Sequence, residues 1–179
     1  PEAFRANPRL IWEWYTWRRE LVAKAQPNPG HHALVELEQH VPTFTLITQN
    51  VDGMHQRAGS QHVIELHGNL TRTKRATDGV IVETWEPPQD GIPRCPETGS
   101  MLRPDVVWFG EMLPEQALQQ AADASTSCDI FFSIGTSGVV QPAASLPHMA
   151  MQAGATLIVV NPDVTPHVSQ TTYYLQGPS

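Results

Sequence analysis

Residues 43–53 read TFTLITQNVDG, and this stretch decides the fold. Its first half, 43–48, is a β-branched, aromatic and apolar run that predicts a strand. The run leads directly into a polar cluster at 49–53. Two later stretches repeat the arrangement, because DIFFSI at 129–134 precedes GTSG, and TLIVV at 156–160 precedes NPD. Such nearly continuous apolar runs predict parallel strands that are buried on both faces.

Helices are predicted between these strands. Asn7-Pro8 is a start signal for a helix at about 9–25, and a second helix is predicted at 31–39, followed by a short strand at 63–66. Further helices are predicted at about 114–124 and 142–152. Strands that alternate with helices indicate the α/β class, with a Rossmann-like parallel sheet and helices on both of its faces.

Residues 71–103 break this alternation, because they contain four prolines and show little periodicity. We therefore predict a Rossmann-like domain formed by 1–70 and 104–179, with a helical module at about 8–40. Residues 71–103 are predicted to form a small inserted module.

Composition limits the classes of function. The chain has 179 residues, 40% hydrophobic and 16% charged, which is typical of a globular domain. A net charge of −7 argues against a nucleic-acid partner, which needs a basic face. The sequence has no apolar run of the ~20 residues that a membrane helix needs. The two cysteines, Cys95 and Cys128, favour a reducing compartment, and we expect the cytoplasm.

The three polar clusters should lie at one edge of the sheet, because ligands of open α/β sheets bind beyond the carboxyl ends of the strands. One such cluster alone is more often an ordinary turn, but three together favour a polar ligand. The chain has no G-x-G-x-x-G and no P-loop. The GTSGV run resembles a nucleophile elbow, but Val139 replaces its last glycine. His67 follows a strand and precedes Gly68, where a histidine without further context would be a turn residue.

The order of several short motifs changes that interpretation. TQNVDGMH at 48–55 is followed by AG at 58–59, ELHG at 65–68, RPDVVWFGE at 103–111, GTS at 135–137 and Asn161. In order and spacing these blocks closely resemble the sirtuin family, over essentially the whole chain. The resemblance implies an NAD-dependent protein-lysine deacylase that acts on acylated lysine-containing proteins or peptides.

The resemblance also implies roles for individual residues. His67 would be the catalytic base that accepts a proton from the nicotinamide ribose, with Asn50 as a second catalytic residue. The acyl oxygen attacks the ribose carbon as nicotinamide leaves, and the products are lysine, nicotinamide and O-acyl-ADP-ribose. The implied cofactor-binding residues are Gln49, Asn50, Val51, Asp52, Gly135, Thr136, Ser137, Asn161, Pro162, Asp163 and Ser179. The implied substrate-binding segment, which pairs with the peptide as an added strand, is Val107, Trp108, Phe109, Gly110 and Glu111.

Tyr15 and Arg18 indicate the acyl group. The run WEWYTWRR at 12–19 resembles the Y-x-x-R element of the sirtuin branch that removes succinyl, malonyl and glutaryl groups. The i, i+3 spacing places both side chains on one helix face, where a guanidinium and a phenol can bind a carboxylate. The alternative is a surface arginine beside an aromatic core residue.

The sequence departs from the family in two places. Sirtuins commonly hold a structural zinc through four cysteines, and the matching positions here are Arg75, Asp78, Cys95 and Thr98. One thiol cannot replace four zinc ligands, so we predict no zinc. The glycine-rich loop G-A-G-x-S of the family does not occur before Pro1. We therefore expect a piece of a longer enzyme that binds NAD poorly and turns over slowly or not at all.

Two other functions stay open at this point. One is a non-catalytic module that binds NAD, ADP-ribose or acylated peptides, and the other is mono-ADP-ribosyl transfer. A mitochondrial location is the alternative to the cytoplasm if a targeting segment has been removed.

Overall fold

The structure, a computed structural model, describes residues 1–86, 91–168 and 173–178. The chain divides into two compact units, Pro1–Leu113 and Pro114–Ser179. The predicted division into a domain at 1–70 and 104–179 with an insert at 71–103 stays a prediction.

The first unit begins with three helices, α1 (Glu2–Ala6), α2 (Pro8–Lys24) and α3 (Pro29–His40). The side chain of Asn7 accepts a hydrogen bond from the Leu10 amide, and that of Asn28 accepts one from His31. Each asparagine thereby satisfies an amide that the first turn leaves free, and a proline follows it at the first helical position. These caps explain why both helices start within two residues of their predicted positions.

A short parallel pair follows in the first unit. Strand β1 (Leu46–Thr48) pairs with β2 (Val63–Glu65), and helix α4 (Met54–Ala58) connects them. The predicted strand at 43–48 forms only over its second half, because its partner β2 is itself three residues long.

An antiparallel pair completes the first unit. Strand β3 (Gly68–Arg75) pairs with β4 (Leu102–Val106), and the register shifts between Asn69 and Thr73. These two strands were not predicted, because β3 consists mostly of polar and basic residues and gives no apolar signal. The core beside them contains two clusters of buried side chains, Phe4, Trp12, Cys95 and Leu102 in one and Tyr15, Leu70 and Val106 in the other.

Two of the three predicted strands, at 129–134 and 156–160, form the parallel sheet of the second unit, whereas the run at 43–48 pairs with β2 in a separate two-stranded sheet. Helix α5 (Glu115–Ser127) precedes strand β5 (Ile130–Ile134). A 3-10 turn (Ala143–Ser145) and helix α6 (Leu146–Gln152) precede strand β6 (Thr156–Asn161), and β7 (Tyr173–Gln176) is the last strand of the described residues. The strand order is β5-β6-β7, and both pairings are parallel. The expectation of burial on both faces is wrong for β5, because Ile130 and Phe132 are exposed. Leu157 and Val159 of β6 are fully buried, while Ile158 and Val160 between them are half-buried, so one face of this sheet carries the core.

None of the helices in the described part of the chain combines the length and apolar composition of a membrane-spanning segment.

Candidate active site

His67 stands at the junction of β2 and β3, where its ring is half-buried. Its Nδ1 lies 3.0 Å from the backbone carbonyl oxygen of Gln49. Because a carbonyl oxygen only accepts hydrogen bonds, Nδ1 is the nitrogen that carries the proton in the neutral form of the ring, and it donates a hydrogen bond to Gln49. Nε2 is therefore the nitrogen with the free lone pair, and it is the atom that can act as a base.

Gly68 fixes the backbone next to this histidine. Its φ is +77°, and a Cβ at this position would lie 2.2 Å from the carbonyl oxygen of Asp105. The close approach allows the amide of Val107 to donate to the carbonyl of His67, with an N–O distance of 2.9 Å. The catalytic candidate is thereby joined by its backbone to the segment that the sequence predicts to bind substrate.

The polar cluster after β1 forms a tight loop beside His67. The side chain of Thr48 accepts a hydrogen bond from the Asn50 amide, and that of Asp52 accepts one from Met54 at the start of α4. The carbonyl of Val51 accepts a hydrogen bond from Leu70 in β3. Asn50 is exposed, while Asp52 is half-buried. The structure thus brings the first group of predicted cofactor-binding residues together with His67.

The predicted substrate segment is a turn held by the carboxylate of Glu111. This carboxylate accepts hydrogen bonds of 2.9 Å from Nη2 of Arg103 and from the backbone amide of Trp108. Burial alone would raise the pKa of Glu111, but these hydrogen bonds and the charges of Arg103 and Lys74 outweigh it and lower the pKa. Phe109 at the tip of the turn is 91% exposed, and Gly110 has a φ of +86°.

Arg103 begins the motif at 103–111, and its role there is seen only in the structure. Its buried guanidinium bonds Glu111 through both terminal nitrogens, donates to the carbonyl of Val106 and lies 3.4 Å from the ring centroid of Trp108. Arg103 therefore fixes the turn at 107–111 through its contacts with Val106, Trp108 and Glu111. The sequence contains an arginine and a glutamate at the two ends of one motif. Their positions alone do not predict that the two side chains form an ion pair.

Tyr15 and Arg18 both lie on α2. Tyr15 is 5% exposed, and its hydroxyl oxygen lies 2.7 Å from Nε1 of Trp108. Arg18 is half-buried, with its guanidinium carbon 4.9 Å from the ring centroid of Trp14. Tyr15 is thus a core residue, as the alternative interpretation expects, and its hydroxyl reaches the predicted substrate segment. The joint binding of a carboxylate by Tyr15 and Arg18 stays a prediction.

Two further side chains, Asn69 and Arg19, have roles in strand β3 that the sequence motifs do not indicate. Asn69 is buried, and its amide group donates to the carboxylate of Glu65 and accepts hydrogen bonds from Thr71. Arg19 donates to the carbonyl oxygens of Leu70 and Arg72, where the register of β3 shifts. Burial lowers the pKa of Arg19. Asn69 directly follows the His-Gly pair, so the sequence could have identified it as a candidate site residue. The partners of Arg19 lie more than 50 residues away along the chain, and no local pattern predicts them.

The second unit contains the other predicted cofactor-binding residues. Strands β5 and β6 are parallel neighbours with Ile134 opposite Val160, so the loop Gly135, Thr136, Ser137 lies beside Asn161, Pro162 and Asp163. The amide nitrogen of Gly135 donates to the carbonyl of Val160, and Ser137 is exposed. Asn161 is buried and donates to the carbonyl of Asp163 at 2.8 Å. Ser179 lies outside the described residues.

Gly138, at the end of this loop, lies where a side chain would clash with a neighbouring ring. Its φ is +68°, and a Cβ would lie 2.6 Å from Cδ2 of His167, whose ring is buried. The glycine therefore allows the loop after β5 to pack on the segment that follows β6.

The positions that match the zinc ligands of the family contain an ion pair. Arg75 donates to both carboxylate oxygens of Asp78, at 2.9 and 2.7 Å. A hydrogen bond with Thr98 lowers the pKa of the Cys95 thiol, and the Arg75 side chain also bonds that thiol. A guanidinium is a cation and cannot ligate zinc, so this donor set does not fit the metal. In residues 1–86, 91–168 and 173–178, no group of three or more His, Cys, Asp or Glu side chains could hold a metal ion.

Comparison with known families gives one match to most of the chain. The model of the Sir2 family matches residues 1–142.

Relatives among curated proteins carry consistent names. The "NAD-dependent protein deacylase" of Aquifex aeolicus is 53% identical over 167 residues, which are 93% of this chain and 70% of that protein. "NAD-dependent protein deacylase 1" of Pseudomonas aeruginosa is 44% identical over 187 residues, covering 100% of this chain and 75% of that protein.

Solved structures with the same fold include complexes. A Sir2 homologue in complex with NAD superposes with a TM-score of 0.92 at 46% identity, covering 99% of this chain and 70% of that one. A Sir2 protein bound to a propionylated peptide gives a TM-score of 0.88 at 31% identity, covering 98% of this chain and 76% of that one.

Proposed function

The chain belongs to the Sir2 family of NAD-dependent protein deacylases, and we propose that it removes acyl groups from lysine side chains at His67, with a preference for succinyl and malonyl groups. The observation that carries the site is the bond between Nδ1 of His67 and the Gln49 carbonyl. This bond leaves Nε2 as a base beside the loop after β1, which also presents Asn50. The fold and the family give the deacylase activity, while the residue roles and the acyl preference are our proposal.

The residues present fit NAD. Polar groups follow β1 in the first unit and β5 and β6 in the second, and the glycines at these loops let a ligand approach the backbone. When bound, NAD supplies the ribose carbon from which nicotinamide departs. Its proposed contacts are Gln49, Asn50, Val51 and Asp52 in the first unit and Gly135, Thr136, Ser137, Asn161, Pro162 and Asp163 in the second.

The role of His67 follows from its tautomer. Nε2 would accept a proton from a ribose hydroxyl of NAD, and the ring would become an imidazolium. The Gln49 carbonyl stabilises this cation through the Nδ1 proton, since a hydrogen bond from a charged donor is stronger than one from a neutral donor. Asn50 is exposed on the same loop and offers an amide to the reacting groups.

The turn at 107–111 is the proposed peptide-binding segment. Its backbone is fixed by Arg103 and Glu111, and Phe109 presents an exposed ring. Recognition through main-chain hydrogen bonds depends little on peptide sequence, which suits an enzyme acting on many acylated lysines. A Sir2 protein of the same fold is known with a propionylated peptide bound.

One experiment tests the proposal against its alternatives. The purified protein is incubated with NAD and a succinyl-lysine peptide, and both are followed by mass spectrometry. Slow loss of the succinyl group over a long incubation, with an acylated ADP-ribose product, is the expected result, and His67→Ala should abolish it. An unchanged peptide would favour the binding module, and a gain in mass of an ADP-ribosyl group on protein would favour transfer. The cytoplasmic location and the absence of nucleic-acid and membrane partners stay predictions.

A further inference from the structure

The indole of Trp108 joins the peptide-binding turn to the helix that carries the proposed acyl site. Its Nε1 lies 2.7 Å from the hydroxyl oxygen of Tyr15, a residue 93 positions earlier in the chain. Tyr15 is buried and packs with Leu70 and Val106. The contact therefore links two elements that the sequence treats separately.

The direction of this hydrogen bond determines what else Tyr15 can bind. An indole N–H only donates, so the Tyr15 oxygen is the acceptor. The proton of the Tyr15 hydroxyl must then point away from Trp108 and is free to donate to a second group. A hydroxyl that already accepts one hydrogen bond also becomes a better donor. Tyr15 is thus prepared for a partner that only accepts, and a carboxylate is such a partner.

Trp108 is held firmly enough to impose this direction. Its ring lies 3.4 Å from the guanidinium carbon of Arg103 and 5.3 Å from the ring centroid of Phe4. Its backbone amide donates to Glu111 at 2.9 Å. The indole packs against Arg103 and Phe4 and is anchored at its backbone, so its N–H keeps one orientation.

We propose that Trp108 is a specificity-determining positioning residue. Its indole N–H directs the Tyr15 hydroxyl proton toward the carboxylate of a dicarboxylic acyl group, which favours succinyl-lysine and malonyl-lysine over acetyl-lysine. This inference rests on the acyl preference proposed above. Arg18, three residues after Tyr15, supplies the positive charge, and Trp108 supplies the orientation.

The first test compares the full chain with its Trp108→Phe variant. Phenylalanine keeps a ring between Arg103 and Phe4 and removes the N–H. The ratio of kcat/KM for a succinyl peptide to that for an acetyl peptide should fall roughly three- to tenfold, mainly through a higher KM for the succinyl peptide. Trp17→Phe is the matched control, because Trp17 is 54% exposed on the same helix, and its ratio should equal that of the wild type.

A double-mutant cycle separates orientation from packing. If Trp108 acts through the hydroxyl of Tyr15, adding Trp108→Phe to Tyr15→Phe should lower the ratio no further. A purely structural role of Trp108 would give independent, multiplicative losses in the two variants and would overturn the proposal.

A second variant covers the case that Trp108→Phe does not fold. Benzothienylalanine introduced at position 108 keeps the bicyclic shape and replaces only the N–H by sulfur. The same fall in the ratio supports the proposal, and an unchanged ratio overturns it. If the wild type prefers succinyl and the ratio survives both replacements, Trp108 has no such role while the acyl preference stands. If the wild type itself prefers acetyl, the acyl preference and the role of Trp108 fall together, and the deacylase site at His67 is unaffected.

Discussion

At the scale of single residues, Gly68, next to His67, occupies a position where a side chain would clash with the neighbouring backbone. Gly68 and Gly79 have nearly equal φ values, +77° and +76°, but a Cβ at Gly79 would have no atom within 4 Å. A Cβ at Gly68 would lie 2.2 Å from a backbone oxygen of Asp105. The two glycines thus separate the cost of a left-handed backbone from the cost of a steric clash.

We expect Gly79→Ala to lower the free energy of unfolding by about 1 kcal/mol, the cost of the left-handed conformation. Gly68→Ala should cost at least about 2 kcal/mol more, because β4 must move away, and it should also reduce deacylation. Urea unfolding of the two variants gives the comparison. Equal destabilisation would mean that β3 and β4 are not in close contact at this point.

Arg18 carries the second residue-scale prediction. Arg18→Met removes the proposed partner of the acyl carboxylate and keeps the length of the side chain. We expect kcat/KM for desuccinylation to fall about 100-fold, as for a lost charge-assisted contact, while deacetylation changes much less. Arg5→Met, on the exposed surface of α1, is the control. Equal losses of both activities would reject the carboxylate clamp.

The residues around His67 show which parts of the candidate site can be predicted from the sequence and which cannot. His67, Asn50 and Asp52 could be picked out because they follow strands in short motifs. Arg103 and Trp108 lie in such a motif as well, but their roles depend on partners that the chain brings together only by folding. The bond from Trp108 to Tyr15 spans 93 residues, and no local pattern predicts a contact of that separation.

At the scale of elements, the strands β3 and β4 show what local patterns miss. Helices α2 and α3 were predicted well, because Asn7 and Asn28 followed by proline are signals contained within a few residues. Strand β3 is polar and basic on its exposed face, so its pairing with β4 is decided by tertiary contacts such as those of Arg19. Strand propensity depends on such surroundings more than helix propensity does.

The loop between β3 and β4 gives a prediction about metal. Because Arg75 pairs with Asp78 and reaches Cys95, the loop is held by an ion pair and hydrogen bonds where the family commonly has zinc. Excess EDTA should leave the melting temperature unchanged, and metal analysis should find no stoichiometric zinc. Arg75→Met should lower the melting temperature by a few degrees. Arg9→Met, which breaks an exposed i, i+4 pair with Glu13, is the control and should have little effect.

The turn between β4 and α5 gives a prediction about pH. Its Glu111 has a pKa lowered from 4.5, so the folded state binds the proton more weakly than the unfolded state. Stability from this group is fully present above pH 4.5 and is lost as the pH falls through the lower, folded pKa. Glu111→Gln should therefore be less stable than the wild type at pH 7, by about 2 kcal/mol. The difference should shrink steadily below pH 4.5. A difference that is independent of pH would show that the charge of Glu111 contributes nothing.

At the scale of the whole molecule, the chain has two compact units, Pro1–Leu113 and Pro114–Ser179, and each contains residues that are proposed to contact NAD. In each unit they follow the carboxyl end of a parallel strand, β1 in the first and β5 and β6 in the second. The amides of these loops serve as separate reporters for each unit, because loop amides exchange hydrogen faster than the strands before them.

Hydrogen exchange with and without saturating NAD tests both sets of contacts at once. We expect slower exchange in peptides covering 49–53 and 135–138, because a bound ligand protects the backbone that it covers. Helix α5 contains no proposed contact and serves as the internal control. ADP-ribose, which lacks nicotinamide, should protect 135–138 as NAD does but should protect 49–53 less, since the loop beside His67 is the proposed nicotinamide and ribose pocket. If NAD protects only 135–138, the second unit binds the nucleotide but the loop 49–53 does not contact it. That result would contradict the proposal that His67 is the base.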